Sequence, residues 1–392
     1  MKIAIIHDYI KEYGGAERVL EALYELYPEV HVYTSVFLSE FLGPHRDRFE
    51  KMHIHTSWAQ NIPYVEKLIS PLRLLSPFLF RFFDLSQYDV VIVSATGAYF
   101  PNSVRTNHKQ LLFCYCHTPP RYLYGYETAR EWRKDPIMNI LGTIANHILR
   151  IVDFYASRNV DFFIANSQEV ASRIKKFYRR ESTVIYPPVD INVKRKTKNE
   201  KQEDKTQNSY YLAGGRLARP KHIDLIVRAC REQNIPLKVF GRGFAGYEDE
   251  IQNSSADWRI KIQNSNMEFL GEVREEEKYE LMRNAKAYVF ASTDEDFGIT
   301  PVEAMSVGCP VIAYRGGGVL ETVIEGKTGL FFDELTEESL LKAIKRFDDS
   351  NHRSMFAACK KQAQRFSKAR FQKEIKEFIE SKGGIHAGIA RN

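Results

Sequence analysis

Short apolar runs alternate along the chain with longer segments in which apolar residues recur every three or four positions. In the first half, amphipathic segments predict helices at Ala16–Leu26, Pro136–Ala156 and Gln168–Phe177. Apolar runs between them predict strands at Lys2–His7, His31–Phe37, Met52–His55, Val90–Ser94, Gln110–His117, Asp161–Asn166 and Thr183–Tyr186. Strands that are apolar on both faces and separated by helices are typical of a parallel sheet covered by helices on both sides.

The second half repeats this pattern after a boundary near Pro187. Further helical segments separate strands predicted at Tyr210–Ala213, Leu237–Phe240, Met267–Leu270, Ala287–Ala291 and Pro310–Ala313. We therefore predict an α/β protein with two doubly wound, Rossmann-like domains that face each other across a cleft. The predicted domains are 1–187 and 188–368. A last helix in 369–392 is expected to cross back to the first domain and to end in a frayed tail from Gly383.

Composition and charge argue against several classes of function. The 392 residues are 44% hydrophobic and 27% charged, which is ordinary for a globular protein. The net charge of +6 is not gathered into a basic stripe, so no nucleic-acid partner is predicted. The five cysteines are odd in number and scattered through apolar runs. They predict reduced, buried thiols and neither a disulfide framework nor a zinc site.

Two glutamates, Glu295 and Glu303, stand eight positions apart around a predicted helix start. Between them, Phe297, Gly298 and Ile299 have backbone N–H groups without helical partners, which can bind an anion or a hydroxyl. A carboxylate near a helix start is stabilised by the helix dipole and can accept hydrogen bonds from vicinal hydroxyls. This combination indicates a site that holds a polyol beside a phosphate. The alternative is that Glu295 is a loop charge and Glu303 a helix-capping acid.

Two glycine-rich turns after predicted strands offer positions for a diphosphate. Gly14 and Gly15 precede the first predicted helix, where a missing side chain lets the backbone approach a phosphate, although paired glycines also form ordinary turns. Gly215, Arg216 and Lys221 follow the first strand of the second half. A leaving diphosphate gains negative charge during group transfer, and without a metal ion it requires fixed cations. Arg216 and Lys221 would supply them.

Four further candidates lie at and beyond the end of the strand predicted at Gln110–His117. His117 ends this strand, so we expect its side chain to point into the predicted cleft, although a single histidine is often structural. Arg121, Tyr122 and Tyr124 follow within a few positions. They would bind an acceptor sugar, the tyrosines by stacking, or else pack within the loop.

Two other patterns resemble sites of a different kind. Residues 241–246 have the G-x-G-x-x-G spacing of a dinucleotide-binding turn, but no acidic residue ends a following strand at the expected distance. Asp294 and Asp296 form a D-x-D pattern, which binds a metal–diphosphate complex in a fold with one central sheet. Because two sheets are predicted here, we interpret these aspartates as solvated loop acids. No metal site is predicted.

Taken together, the motifs resemble those of the retaining glycosyltransferases of family 4, which have the GT-B fold. Glu295 and Glu303 match the Glu-x7-Glu motif of that family. Arg216 and Lys221 match its Gly-Arg-x4-Lys signature, in which the next residue is usually Gly but here is His222. The resemblance covers almost the whole chain and is strongest in 210–330. It implies that the domain 1–187 binds the acceptor and that 188–368 binds the nucleotide sugar.

The resemblance also implies individual roles. In the family, the second glutamate holds the donor ribose, while the first glutamate and the amides beside it touch the transferred sugar. Gly14 and Gly15 lie in a run similar to the family's Gly-Gly-x-Glu loop, and Gly241 and Leu270 are expected beside the donor. The run from Cys116 to Arg121 is similar to the mannosyltransferase branch, where the matching histidine contacts the transferred sugar. The implied catalytic residues are therefore His117, Arg216, Lys221 and Glu295.

The implied activity is retaining transfer of a sugar from a nucleotide-diphosphate donor, with no cofactor or metal required. GDP-mannose is the preferred donor, with mannose as the transferred sugar. The acceptor is a glycan or lipid-linked oligosaccharide, as in O-antigen or capsule synthesis. A same-face reaction, in which the leaving phosphate takes the acceptor proton, fits the lack of a placed carboxylate nucleophile. The alternatives are a nucleotide-sugar epimerase on the same fold and a catalytically inactive sugar-nucleotide-binding subunit.

The sequence also predicts where the protein works. The N-terminus enters a strand directly and no run of about 20 apolar residues occurs, so neither a signal peptide nor a membrane span is expected. The apolar segment Leu68–Phe83 carries Arg73 and Arg81. It is either a helical pair packed on the first domain or an amphipathic patch with its arginines toward lipid phosphates. We therefore predict a cytoplasmic protein, peripheral at the inner face of the membrane.

Overall fold

The structure of the protein is a computed structural model, in which several segments are left undescribed. The described residues are 1–107, 109–128, 136–191, 209–243, 247, 266–350 and 354–389. The chain divides into two compact units. Unit 1 consists of Met1–Tyr126, Trp132–Pro188 and Lys368–Asn392, and unit 2 of Glu127–Glu131 and Val189–Ser367.

Unit 1 is built on a seven-stranded parallel sheet with the order β3-β2-β1-β4-β5-β6-β7. Its strands are β1 (Ile3–His7), β2 (His31–Thr34), β3 (His53–Thr56), β4 (Val90–Ala95), β5 (Leu111–Cys116), β6 (Phe162–Ala165) and β7 (Ser182–Val184). The order reverses between β1 and β4, which is the doubly wound topology. Ile5 pairs with Val32 on one side and with Ile92 on the other.

Unit 2 repeats the arrangement with a six-stranded parallel sheet in the order β10-β9-β8-β11-β12-β13. Its strands are β8 (Tyr211–Leu217), β9 (Leu237–Gly243), β10 (Met267–Gly271), β11 (Tyr288–Phe290), β12 (Val311–Tyr314) and β13 (Gly329–Phe332). Here the order reverses between β8 and β11. Two parallel sheets, each wound in both directions, confirm the predicted α/β fold class.

Helices cover both sheets. Those of the first unit are α1 (Gly15–Leu26), α2 (Arg46–Glu50), α3 (Val65–Leu68), α4 (Ser76–Arg81), α5 (Arg121–Tyr124), α6 (Pro136–Arg158) and α7 (Gln168–Tyr178). Those that follow are α8 (Ile223–Glu232), α9 (Glu275–Asn284), α10 (Ile299–Ser306), α11 (Val319–Thr322), α12 (Glu337–Asp348), α13 (Met355–Gln364) and α14 (Lys368–Ile389).

Successive residues of the central strands in unit 1 enter opposite core layers. Ile6 and Val91 pack in one layer, whereas Ile5 and Ile92 pack in the other. Side chains alternate across a strand, so a strand between two helical layers must be apolar at every position. This explains the unbroken apolar runs of the sequence. All five cysteines are buried and unpaired, as predicted.

Glycines account for the main errors in the predicted strands. The strands β8 and β9 continue beyond Ala213 and Phe240 because Gly215 and Gly241 face each other in the ladder. A Cβ atom at Gly241 would lie only 1.9 Å from the Gly215 carbonyl oxygen. The sequence analysis missed β13, which begins at Gly329, where a Cβ atom would lie 1.9 Å from a backbone oxygen of β12. Glycine, normally unfavourable in strands, is required where backbones approach this closely.

The prediction of a frayed tail from Gly383 is wrong for the described residues, because α14 continues to Ile389. The residues 390–392 of the predicted tail lie outside the described part. Phe371, Ile375 and Ile379 on this helix are buried in the core of unit 1. A Cβ atom at Gly383 would lie 3.6 Å from the Met1 sulfur, so the helix runs along the folded unit. Tertiary packing here outweighs the low helix propensity of glycine.

The predicted amphipathic segment Leu68–Phe83 forms short helical turns with two different faces. Leu72, Leu79 and Phe80 are buried in the core of unit 1, whereas Leu74, Leu75, Phe78 and Phe82 are exposed. Of its two arginines, Arg81 is exposed, whereas Arg73 is half-buried. Its guanidinium lies 5.0 Å from the ring centroid of Tyr122, and its Nε atom is buried. Among the described residues, no helix has both the length and the apolarity needed to cross a membrane.

Candidate functional site

Most of the predicted site residues collect where the strand order of each sheet reverses. In unit 1 these are the turn after β1 and the ends of β4 and β5, and in unit 2 the ends of β8 and β11. Doubly wound sheets bind their ligands outside the carboxyl ends of the strands at this position. The two groups of residues are described separately below.

Lys221 and Glu295 form an ion pair in unit 2. Lys221 ends a single 3-10 turn after β8, and Glu295 follows the adjacent strand β11. Lys221 Nζ donates a hydrogen bond to Glu295 Oε2, and Ser292 Oγ donates to the same oxygen at 2.7 Å. The ammonium also lies 5.1 Å from the ring centroid of Phe290. The fold thus brings together a cation and a carboxylate that are 74 positions apart in sequence.

Glu303 lies inside α10 in a nearly buried ion pair. Lys278 Nζ of α9 donates to Glu303 Oε1 at 2.7 Å, and the Tyr279 hydroxyl lies 3.4 Å from the same oxygen. The side chains of Glu303 and Lys278 are only 4% and 13% exposed. The N-cap of α10 is Gly298, five residues earlier, so Glu303 is not a capping side chain. Its carboxylate is held in one orientation by contacts from a neighbouring helix.

Glycines shape the loop between β11 and α10. Gly298 has φ +86° and places Ile299 as the first residue of α10, as the predicted anion-binding turn requires. Gly318 N donates to the Glu295 carbonyl at 2.8 Å. Cβ atoms at Gly317 and Gly318 would lie 2.5 Å and 2.4 Å from backbone oxygens of Glu295 and Asp296. A second glycine turn therefore supports the loop that carries Glu295.

The other predicted donor residues lie on three neighbouring strands of the unit 2 sheet. Gly215 lies next to α10, with its Cβ position 3.7 Å from Thr300 Oγ1. Arg216 is exposed on β8, and Gly241 pairs with Gly215 in the ladder. Leu270 is half-buried on β10, which β9 separates from β8. The residues 244–246 of the predicted G-x-G-x-x-G turn lie outside the described part.

In unit 1, the paired glycines form the start of α1. Gly14 is the N-cap, and its backbone N–H donates to Glu17 Oε2 at 2.9 Å, while Gly15 is the first helical residue. The other oxygen of Glu17, Oε1, lies 3.6 Å from His7 Nε2. Glu17 therefore connects the glycine turn to the end of β1. This links it to His117 through the residues described next.

His117 belongs to a row of buried polar side chains along the ends of three strands. Its Nε2 atom lies 2.9 Å from Ser94 Oγ, which in turn lies 3.1 Å from His7 Nδ1. Burial, followed by the nearby His7, lowers the pKa of His117 to about 3. His117 is therefore a neutral imidazole near pH 7, with one nitrogen engaged by Ser94. The sequence predicted this histidine but neither His7 nor Ser94 as its partners.

Asp8, next to His7, is a buried carboxylate with one satisfied oxygen. Its Oδ2 accepts from the Thr96 hydroxyl at 2.5 Å and from the backbone N–H groups of Ala98 and Tyr99 at 3.1 Å and 3.0 Å. In the described part of the chain, Oδ1 has no hydrogen-bond partner. Burial raises the pKa of Asp8 above its usual value. Such a group is a candidate to receive a ligand hydroxyl.

The predicted acceptor residues fall into two groups. Tyr124 stacks on Phe177 with ring centroids 4.1 Å apart, and its hydroxyl donates to Asp153 at 2.8 Å. These contacts favour the packing alternative for Tyr124. Tyr122 has its ring beside Arg73, and its buried hydroxyl has no hydrogen-bond partner among the described residues. Arg121 begins α5 and is half-buried.

The described residues contain no group of three His, Cys, Asp or Glu side chains that could hold a metal ion. Asp294 and Asp296 are partly exposed on either side of Glu295, and Asp294 adopts φ +50°. Their neighbour Glu295 is paired with Lys221. The D-x-D pattern therefore lies around an internal ion pair.

Several residues that shape the site were not found from the sequence. Lys278 and Tyr279 lie in a charged helix whose pattern indicates only a surface helix, and no local motif connects them with Glu303. Ser94 and His7 end apolar strands as single polar residues. Gly317 and Gly318 lie in a visible triple-glycine run, which was a usable signal of a close backbone approach.

Two family models match adjacent parts of the chain. The model described as Glycosyltransferase Family 4 matches residues 13–193. The model described as Glycosyl transferases group 1 matches residues 194–368. Between them they include every predicted site residue.

Characterised relatives are similar at moderate identity. The alpha-1,3/1,6-mannosyltransferase ALG2 of Mus musculus is 25% identical over 287 residues, covering 68% of this chain and 66% of its own length. The ALG2 protein of Dictyostelium discoideum is 26% identical over 65% of this chain and 66% of its own length. The chain thus spans slightly less than two thirds of these relatives. That of Schizosaccharomyces pombe is 27% identical over 84% of this chain and 70% of its own length.

Solved structures show the same fold. Anabaena Alr3699/HepE in complex with UDP superposes with a TM-score of 0.69 at 20% identity, covering 97% of this chain and all of that one. Sucrose-phosphate synthase of Thermosynechococcus elongatus superposes with a TM-score of 0.72 at 17% identity, covering 98% of this chain. The fold is therefore GT-B. With both of its halves matched by the family models and with this fold, the chain belongs to glycosyltransferase family 4.

Proposed function

We propose that this protein is a retaining glycosyltransferase that transfers mannose from GDP-mannose to a glycan or lipid-linked acceptor in surface polysaccharide synthesis. The observation that carries the proposal is the ion pair of Lys221 and Glu295 at the switch point of the unit 2 sheet. There a fixed cation stands beside the start of α10, where a diphosphate is stabilised. The ALG2 relatives support mannose as the transferred sugar.

In the proposed reaction, the bond between the sugar C1 atom and the diphosphate oxygen breaks. A new bond forms between C1 and the acceptor oxygen on the same face, and the acceptor proton passes to the leaving diphosphate. Lys221 and Arg216 stabilise the charge on that diphosphate, so no metal ion is needed. Phosphate binding draws Lys221 away from Glu295, which leaves this carboxylate to accept hydrogen bonds from the sugar. Glu303, oriented by Lys278, holds the ribose.

The proposal is tested by measuring acceptor-dependent release of nucleoside diphosphate in buffer that contains EDTA. The donor panel consists of GDP-mannose, UDP-glucose, UDP-galactose and UDP-N-acetylglucosamine, because HepE binds UDP and the donor base is open. We expect turnover with GDP-mannose and a water-soluble mannoside, with the anomeric configuration of the donor kept in the product. Lys221→Ala should lower kcat by roughly 100-fold, because it removes a fixed cation from the leaving group.

Lys342→Ala serves as the matched control, since Lys342 is an exposed lysine of the same unit that pairs with Glu338 one helical turn away. Unchanged turnover in Lys221→Ala would place the diphosphate elsewhere. Activity that disappears in EDTA and returns with Mn²⁺ would instead assign the diphosphate to Asp294 and Asp296. Conversion of the donor without acceptor would identify an epimerase, and donor binding without turnover an inactive subunit.

A further inference from the structure

The long helix α6 carries a continuous apolar stripe on its outer face. The stripe consists of Ile140, Leu141, Ile144, Ile148, Ile151 and Tyr155, whose exposed fractions lie between 47% for Ile151 and 67% for Tyr155. Spacings of three and four residues place these side chains on one face of the helix. From Ile140 to Tyr155 there are fifteen steps of 1.5 Å rise, so the stripe extends over about 22 Å. An apolar surface of this kind is unusual on a globular protein and indicates an interaction.

The opposite face of α6 is attached firmly to unit 1. Leu149 is buried against Phe100 and Leu123, and the Asp153 carboxylate is buried. Asp153 accepts hydrogen bonds from the hydroxyls of Tyr124 at 2.8 Å and Tyr178 at 3.2 Å. Because these contacts fix the rotation of the helix, the apolar stripe cannot turn inward. It is a permanent surface of unit 1.

The exposed charged side chains of α6 itself are positive. In 139–159 the exposed charged residues are Arg150 and Arg158, and the single acid, Asp153, lies on the buried face. The guanidinium groups of Arg158 and of Arg179, the residue after α7, lie 5.3 Å and 6.0 Å from the ring centroid of Phe154, next to Tyr155. The stripe therefore has arginines at its border and no exposed carboxylate of its own.

We propose that the α6 stripe docks on the surface of an anionic lipid bilayer, with the helix lying in the plane of the membrane. The aliphatic side chains enter the boundary between headgroups and acyl chains, Tyr155 lies at the headgroup level, and the arginines contact lipid phosphates. A second copy of the chain would present the same stripe with the same arginines, and so would bring like charges together. An anionic lipid surface supplies both an apolar layer and the opposite charge.

This inference rests on the proposed function, because an enzyme with a lipid-linked acceptor must reach that acceptor at the bilayer surface. The sequence predicted a membrane contact at a different segment, Leu68–Phe83 with Arg73 and Arg81. The segment with exposed Leu74, Leu75, Phe78 and Phe82 belongs to the same unit. Both α4 and α6 pack against the 3-10 turn Pro101–Ser103.

The test is co-sedimentation of the full chain with phosphatidylcholine vesicles. These contain either no anionic lipid or about 30% phosphatidylglycerol. We expect the parent protein to bind the anionic vesicles and to be released at high salt. Ile144→Glu/Ile148→Glu should weaken binding at least tenfold. Ile144→Ser/Ile148→Ser, which removes apolar surface without adding charge, should weaken it in the same direction.

The matched control is Leu320→Glu/Ile324→Glu, which adds the same charge at two exposed apolar positions of unit 2, 48% and 38% exposed. It should bind vesicles like the parent. The proposal is overturned if the parent stays in the supernatant at low salt, or if both α6 variants bind like the control. It is also overturned if the parent is a dimer in solution and the α6 variants are monomers, which assigns the stripe to a second copy.

Transfer to a water-soluble acceptor is measured in parallel for the same proteins. We expect the α6 variants to keep the parent's turnover in this assay, since no α6 side chain takes part in the proposed chemistry. Vesicle binding without any turnover would reject the proposed function and leave the docking surface standing. Turnover without vesicle binding would reject the docking surface and leave the proposed function supported.

Discussion

His117 illustrates how burial determines the state of a single side chain. The imidazole is nearly enclosed, and its partner Ser94 offers a hydrogen bond but no charge. Burial without a carboxylate partner disfavours the protonated form of an imidazole. His117 therefore remains neutral at physiological pH. In the proposed reaction it would contact the ligand through a hydrogen bond, and the positive charge for the leaving diphosphate would come from Lys221 and Arg216.

The lowered pKa of His117 predicts a specific loss of stability in acid. The folded-state pKa is about 3, below the usual value of 6.5. Between these two values the unfolded chain binds a proton that the folded chain does not, so stability falls as the pH decreases through this window. From pH 7.5 to pH 5, urea unfolding should show a loss of about 1–2 kcal/mol from this group. His117→Gln should remove that part of the loss.

The control is His147→Gln, which replaces an exposed histidine of α6 in the same unit. Its acid-induced loss of stability should equal that of the parent. Equal slopes for His117→Gln and the parent would mean that the His117 imidazole accepts a proton in the folded protein.

At the level of residues, the sequence predicted the chemistry better than the partners. His117, Lys221, Glu295 and Glu303 carry recognisable spacing or motif context, so they could be proposed before the structure. Their contacts could not, because Lys278 reaches Glu303 from a different helix and Ser94 reaches His117 from a different strand. Contacts between distant segments depend on the sheet order, which local patterns do not encode.

At the level of elements, the ladder between β8 and β9 depends on glycine at one point. Gly241 has φ +135°, a conformation that residues with a side chain rarely adopt. Its Cβ position also coincides with the backbone of Gly215, the residue that opens the predicted diphosphate turn. Because the obstacle is backbone and not a flexible side chain, the strands cannot adjust without separating.

Gly241→Ala is therefore expected to destabilise unit 2 by roughly 2–4 kcal/mol, as the sum of backbone strain and a steric clash. It should also weaken binding of the donor nucleotide, since Gly215 would move. Thermal unfolding and calorimetric titration with GDP measure the two effects. Gly326→Ala is the matched control, because Gly326 has φ +72° but nothing within 4 Å of its Cβ position. If the two variants were equally stable, strain alone would account for the loss and the close approach would be unimportant.

The same glycines explain which elements were predictable. In the described part of the chain, the pattern identified twelve of thirteen strands. The clearest were strands buried on both faces, such as β4 and β5, because they have few polar positions. Strand ends and β13 were missed where Gly215, Gly241 and Gly329 lie in the ladder. A glycine usually ends a predicted strand. Here it continues the strand, because two backbones approach more closely than a side chain allows.

At the level of the whole molecule, the last helix stabilises the unit formed by the start of the chain. Phe371 on α14 is fully buried, with its ring centroid 5.7 Å from that of Tyr115 on β5. Ile375 and Ile379 continue this contact at helical spacing. Residues more than 250 positions apart therefore share one core, which requires the whole of unit 2 to be synthesised before unit 1 is complete. The sequence predicted that this helix would cross back to the first domain, but not which side chains of the sheet it would contact.

Phe371→Ala should therefore destabilise unit 1, although the residue lies near the C-terminus of the chain. Replacing a fully buried phenylalanine by alanine costs about 3–5 kcal/mol, from lost apolar burial and the cavity left behind. In calorimetry, we expect the transition of unit 1 to move to lower temperature. The transition of unit 2, recognised as the one that added GDP raises, should keep its position. Phe347→Ala, at a fully buried phenylalanine of α12 in unit 2, is the control and should move only the GDP-sensitive transition. A shift of the GDP-sensitive transition by Phe371→Ala would instead assign α14 to unit 2.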